Sequence, residues 1–74
     1  MRRLTFKTTD LMSAMSFVYS AFENFQDTIA TCSVSHQGDS WPVSIVMEGP
    51  RSEDVYDLVL KTLTSEAGFR KEDG

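Results

Sequence analysis

The sequence predicts a single α+β domain of two layers, in which a three-stranded sheet carries both helices on one of its faces. Apolar and polar residues alternate in three short segments, and two segments with a helical period separate or follow them in β-α-β-β-α order. The chain has 74 residues, of which 41% are hydrophobic and 24% are charged. This length and composition are typical of one small folded domain and argue against disorder.

The first strand is predicted at Leu4–Lys7, and candidate N-cap residues follow at Thr8–Asp10. The first helix then extends from Leu11 to about Phe25. Apolar residues at positions i, i+4, i+7, i+11 and i+14 predict its buried face, which consists of Leu11, Met15, Val18, Phe22 and Phe25.

A hairpin is predicted next, with strands at Thr28–His36 and Trp41–Glu48 joined by a turn at Gln37–Ser40. Pro42 removes one backbone donor, so that end of the second strand is unpaired or lies at an edge. The inward-facing residues are predicted to be Ala30, Cys32 and Val34 on one strand and Val43, Ile45 and Met47 on the other.

The second helix is predicted to begin after the N-cap Ser52, and its buried side contains Val55, Val59 and Leu63. Gly68 suits the left-handed position that ends a helix, and residues 70–74 are predicted to be a frayed tail. The whole chain, residues 1–74, is therefore expected to form one domain. If the third strand lies between the first two, the sheet is a truncated ferredoxin-like one.

No catalytic group, cofactor site or metal site is predicted. Cys32 and His36 lie about 13 Å apart along an extended strand, too far for a nucleophile and its base. Cys32 is expected to be a buried structural thiol, and His36 is expected to bond Asp39 across the turn. The glycines occur singly, and one His with one Cys gives no zinc spacing. We therefore expect a protein that is not an enzyme.

The single cysteine fits a reducing compartment. Lys7 and Asp10 interrupt the apolar stretch that a signal peptide would need after Met1, and no apolar run is long enough to span a membrane. The expected location is the cytoplasm.

The charges are unevenly distributed along the chain. Seven Lys and Arg against eleven Asp and Glu give a net charge of −4, which disfavours direct binding to nucleic acid. No basic residue lies between Lys7 and Arg51, whereas five carboxylates do: Asp10, Glu23, Asp27, Asp39 and Glu48. We expect an anionic surface with little screening, which serves either solubility or a partner with a basic surface.

The first helix is apolar over roughly 220° of its circumference, more than the stripe of about 100° or more that one buried face requires. Either the helix is packed deeply on several sides, or Met12, Phe17 and Tyr19 form part of a contact surface. Trp41 is a further contact candidate, or it covers the end of the core.

These observations favour a small acidic interaction protein that regulates or inhibits a protein partner without catalysis. One way to do so is to occupy a basic surface that handles nucleic acid, as a phage-encoded inhibitor of host defence such as an anti-CRISPR protein would. The alternative is a dimeric, ligand-binding regulatory module of ferredoxin-like type, which rests on fold analogy. A homodimer is compatible with both, whereas binding to nucleic acid or to a membrane is not expected.

Overall fold

Four strands and two helices make up the part of the chain that the computed structural model describes, residues 1–65 and 68–71. In chain order the elements are β1 (Arg2–Thr8), α1 (Leu11–Asn24), β2 (Ile29–Val34), β3 (Trp41–Met47), α2 (Ser52–Ser65) and β4 (Phe69–Lys71). The order is β-α-β-β-α-β, which confirms the α+β class and adds one strand to the prediction.

The sheet is antiparallel throughout, with strand order β2-β3-β1-β4. β1 and β3 pair over their full length, from Arg2 opposite Met47 to Thr8 opposite Trp41. This is the split β-α-β connectivity of ferredoxin-like domains, and β4 supplies the strand that the truncated version lacks.

The predicted three-stranded sheet is wrong because the end of the chain pairs with β1. Phe69, Arg70 and Lys71 form β4 opposite Thr8, Lys7 and Phe6. Arg70 and Lys71 therefore belong to the sheet and not to a frayed tail, and residues 72–74 of the predicted tail lie outside the described residues. Gly68, which precedes β4, has a φ of 93°, the left-handed conformation expected for it.

One face of the sheet and both helices bury a single hydrophobic cluster. The inward residues alternate along each central strand, as the period of two requires. The fully buried members are Leu4, Phe6, Ala14, Val43, Ile45, Met47 and Val55, and those almost fully buried are Ala21, Ile29, Tyr56, Val59 and Leu63. The predicted inner faces of β3 and α2 are thus confirmed.

Three aromatic rings from different elements meet inside this cluster. The Phe6 ring centroid lies 5.2 Å from that of Phe17 and 5.5 Å from that of Phe69, in edge-to-face geometry. Phe17 and Phe69 are 5.3 Å apart, so the three rings contact one another in pairs. Phe17 is therefore a core residue of α1, which corrects its prediction as part of a contact surface.

α1 is rotated relative to its predicted orientation. Its buried residues are Ala14 and Ala21, with Phe17, Val18 and Phe25 packed beside them. Leu11 and Phe22 are each 37% exposed and Met15 is 51% exposed, so three of the five predicted core residues face outward. The two alanines allow the helix backbone to approach the sheet closely, and this rotation also brings Phe17 to Phe6.

β2 is shorter than predicted and irregular at its start. Its pairing with β3 shifts register between Ile29 and Thr31, which leaves Ala30 exposed instead of on the face of Cys32 and Val34. The turn after β2 is tight: Gln37 and Ser40 exchange two backbone hydrogen bonds of 3.0 Å, and Gly38 between them has a φ of 63°. A positive φ at this position is typical of a type II′ hairpin turn.

The orientation of α1 predicts unequal costs for two aromatic truncations on the same helix. Phe17→Ala removes a ring from the aromatic cluster and should lower the free energy of unfolding by about 3 kcal/mol. Tyr19→Ala removes a ring that is 70% exposed and should change it by less than about 0.5 kcal/mol. Urea denaturation of both variants measures the difference, and equal costs would contradict this rotation of the helix.

Candidate functional site

α1 presents three distinct surfaces to its surroundings in addition to its buried face. Successive residues of an α-helix are about 100° apart, so the sequence determines which side chains share a side. We call these surfaces the groove, the flank and the crest. They differ in shape, polarity and charge.

The groove lies between α1 and α2 and has a volume of about 460 Å³. Phe17, Ala21 and Phe25 contribute apolar surface from α1 and its C-cap, and Val59 contributes it from α2. The polar lining residues are Asp10, Ser13, Ser16, Ser20, Asn24 and Thr62, and Met12 lines the groove as well. Among the described residues, Asp10 is the one charged residue that lines the groove, so this lining suits an uncharged occupant.

The flank consists of Leu11, Met15 and Phe22, on the side of α1 opposite Ser20 and the groove. These side chains are 37–51% exposed, so each is partly covered by the domain and partly open to solvent. The sequence pattern identified them as apolar but placed them in the core. The flank is thus a surface that sequence reasoning missed.

The crest consists of Met12, Tyr19 and Glu23, which point away from the sheet. Met12 and Tyr19 are each 70% exposed, and seven residues of helix place them about 10 Å apart on the same side. Glu23 lies one turn beyond Tyr19 and is also exposed. Two of the three predicted hydrophobic contact residues, Met12 and Tyr19, are therefore highly exposed, whereas Phe17 packs against the core and reaches the surface in the groove.

Asp10 is the N-cap of α1, one of the positions predicted for it. Its carboxylate accepts hydrogen bonds from the Ser13 hydroxyl at 2.6 Å and from the Ser13 backbone N–H at 3.2 Å. The hydroxyl bond is the largest influence on this group and holds the pKa of Asp10 below its usual value of 3.8. Asp10 therefore has a structural role in addition to its negative charge at the beginning of the helix.

Asp27 is screened by a basic residue from elsewhere in the chain. Arg51 donates a hydrogen bond of 2.9 Å from Nη1 to its carboxylate. Partial desolvation raises the pKa of Asp27, but the bond and charge of Arg51 outweigh it, so the pKa lies below 3.8. Arg2 likewise lies 3.4 Å from Glu53, over the ring of Tyr56. Exposed pairs such as these contribute little stability, but they reduce the local negative potential.

The five carboxylates between Lys7 and Arg51, a segment without basic residues, are divided between the two ends of the domain. Asp39 lies on the β2–β3 turn and shares a surface cleft with Lys7 and Arg70. Glu48 follows the opposite end of β3 and is linked to Thr28 by a backbone hydrogen bond of 2.8 Å. A seven-residue strand is about 20 Å long, so these carboxylates do not form one continuous patch.

Three further residues considered in the sequence, Trp41, His36 and Cys32, lie in the β2–β3 hairpin. The Trp41 ring is half-buried and stacks on His36, with centroids 4.2 Å apart and an interplanar angle of 16°. Burial raises the pKa of the Cys32 thiol to about 11, so its nucleophilic thiolate form is scarce at neutral pH. In residues 1–65 and 68–71, no three His, Cys, Asp or Glu side chains are grouped to hold a metal ion.

Comparison with known proteins gives a fold but no family. No family model matches the chain, and a search of curated proteins finds no match. A solved structure of an uncharacterized protein, TM1266 from Thermotoga maritima, is similar, with a TM-score of 0.68 and 16% sequence identity over 95% of this chain and 88% of that chain. This likeness supports the α+β architecture. In the described residues, neither helix is long and apolar enough to cross a membrane.

The cap geometry predicts how acid affects stability. Because the folded-state pKa of Asp10 lies below 3.8, its charged form stabilises the fold above that pH, and the contribution is lost as the pH falls through the folded-state pKa. Asp10→Asn keeps a side-chain acceptor at the cap but removes the titration. The urea midpoints of the two proteins should be similar at neutral pH. On acidification to about pH 3, the midpoint should fall less in Asp10→Asn than in the unmodified protein. An equal acid-induced loss would contradict the prediction.

Proposed function

We propose that the protein acts by binding a protein partner through the crest of α1 and not by catalysis. The observation that carries this proposal is the pair Met12 and Tyr19, each 70% exposed on the same side of one helix. Aromatic residues and methionine are enriched at the centres of protein interfaces, where they fill pockets on the partner. The partner is therefore expected to offer an apolar pocket or groove to these two side chains.

The charge around the crest indicates the polarity of the partner. Asp10 precedes α1 and Glu23 lies near its end, and α1 contains no lysine or arginine. The acidic groups are thus placed beside the apolar anchors, where they favour a partner with basic residues around its pocket. Complementary charge of this kind accelerates encounter and fixes the orientation of the complex.

A basic groove that handles nucleic acid fits these requirements. Lysine and arginine line such grooves, and apolar or aromatic side chains between them stack on bases. A small acidic domain with apolar anchors could occupy the groove in place of the nucleic acid and so inhibit its owner. Inhibition of a nucleic-acid-handling complex, such as a host defence complex, is the mode of action that we propose.

Two substitutions on the crest and one elsewhere test this proposal. After the partner is captured from nuclease-treated lysate of the source cells and purified, its affinity is measured by calorimetry. Tyr19→Ser should weaken binding by about 30-fold, as expected for a central anchor. Glu23→Lys should weaken it by about tenfold and reduce its salt dependence. A single-stranded oligonucleotide should compete with the protein for the partner.

Asp57→Lys is the matched control, because it changes the charge by the same amount at an exposed position of α2. Its affinity should stay within about twofold of that of the unmodified protein. If Asp57→Lys and Glu23→Lys weaken binding equally, net charge and not the crest determines the interaction. If Tyr19→Ser binds as well as the original chain, the proposal is wrong.

The groove supports a second candidate function, a regulatory module that binds a small ligand. Its volume of about 460 Å³ lies within the range of about 300–1,000 Å³ typical of ligand pockets. Its apolar and hydroxyl-bearing lining suits a neutral molecule with hydrogen-bonding groups. Thermal-shift screening of neutral metabolites should then give a stabilised complex, and Ser20→Phe, which fills the groove, should abolish the shift. A shift that survives Ser20→Phe would exclude the groove as the site.

A further inference from the structure

β2 forms one edge of the sheet in the described part of the chain. The N–H of Ser35, just beyond β2, donates a hydrogen bond of 3.0 Å to the carbonyl oxygen of Pro42 on β3. Backbone groups alternate in direction along an antiparallel strand. Ser33 therefore also bonds toward β3, whereas the N–H and C=O groups of Cys32 and Val34 point out of the sheet.

This edge lacks the features that usually prevent strand pairing. Charged residues, especially lysine, and proline commonly protect sheet edges, and β2 (Ile29–Val34) contains none of these residues. Its bulge lies at the beginning of the strand and leaves Thr31–Val34 regular. The strand at the opposite edge, β4, contains Arg70 and Lys71 in its three residues. The edge formed by β2 is therefore the one suited to accept another strand.

The flank of α1 lies on the same side of the domain as this edge. α1 packs over the half of the sheet that contains β2, and α2 packs over β1 and β4. Because the groove separates the two helices, the flank on the far side of α1 faces outward above the edge of β2. Leu11, Met15 and Phe22 can then cover the inner side of a strand added to β2.

We infer that the strand added to β2 is β2 of a second copy of this chain, in antiparallel orientation across a two-fold axis. The distribution of charge on the surface favours a second copy as the occupant of this edge. The protein has a net charge of −4, but neither β2 nor the flank contains a charged residue. The strand and flank residues that meet here therefore bring no carboxylates together, whereas contact between two crests would place Glu23 of both copies in the interface. A two-fold axis needs such a self-compatible surface.

The pairing joins two four-stranded sheets into one continuous sheet, with the two flanks facing each other above the paired strands. Both crests stay accessible, because they point away from the sheet. The dimer would thus present two copies of the crest to a partner. Formation of the dimer does not depend on what the crest binds.

Sedimentation analysis of the full chain tests the dimer. At about 100 µM protein, a dimer with a Kd of about 10 µM is mostly assembled. Met15→Glu introduces a carboxylate on each flank and should raise the Kd at least about tenfold. Met12→Glu is the control, because it adds the same charge to the crest, on a neighbouring side of α1. It should leave the Kd within about twofold of the original value. Met15→Gln, a milder change, should weaken the dimer in the same direction if Met15→Glu does not fold.

Amide hydrogen exchange, followed by NMR, tests the strand pairing itself. In the dimer the Cys32 and Val34 amides should exchange slowly, and in Met15→Glu they should exchange at least about tenfold faster. The Ser33 and Ser35 amides, which bond to β3, should stay protected in both proteins. A monomeric wild-type protein at about 100 µM would overturn the inference. So would a dimer insensitive to Met15→Glu, or one with rapidly exchanging Cys32 and Val34 amides.

Two variants separate dimer formation from partner binding. Tyr19→Ser should weaken partner binding and leave the dimer unchanged, whereas Met15→Glu should dissociate the dimer. With the partner immobilised sparsely, so that one protomer binds at a time, Met15→Glu should keep the affinity of the unmodified protein.

Discussion

The contact between Phe6, Phe17 and Phe69 is the interaction on which the rest of the fold depends. Phe6 is fully buried on the central strand β1 and lies edge-on to a ring from α1 and a ring from β4. These two rings come from segments separated by most of the chain, so the cluster links its beginning to its end. The cluster fixes the rotation of α1. It also holds β4 against β1, because the three residues of β4 form few backbone hydrogen bonds.

The rotation of α1 determines which side chains are available for binding. Ala14 and Ala21 face the sheet because a small side chain allows close approach of the helix, and Phe17 beside them reaches Phe6. The larger side chains Leu11, Met15 and Tyr19 are then left on the outer sides. A helix that buries its alanines and exposes its large apolar residues removes less apolar surface from water than one rotated to bury the larger residues. Its burial therefore contributes less transfer free energy. This loss is offset in a complex that covers the exposed residues.

Most of the fold could be predicted from the sequence because alternating and helical periods are local signals. Both helices, the hairpin and the inner faces of β3 and α2 follow from them. The orientation of α1 could not be predicted, because apolar residues occupy so much of its surface that the pattern fits several rotations. β4 was missed for a different reason: a strand of three residues has almost no period, and it forms only because β1 offers an unpaired edge.

The candidate site was only partly predictable, because charge along a sequence does not specify charge in space. The stretch without basic residues suggested one acidic surface, but Arg51 folds back onto Asp27, and Asp39 lies in a cleft with Lys7 and Arg70. Asp10 and Glu23 lie at the two ends of α1, each close in the chain to an exposed apolar residue. Charge alone would therefore not select a partner strongly. In the proposed complex, selectivity would come from the apolar anchors Met12 and Tyr19, and the carboxylates would determine how the partner approaches and orients.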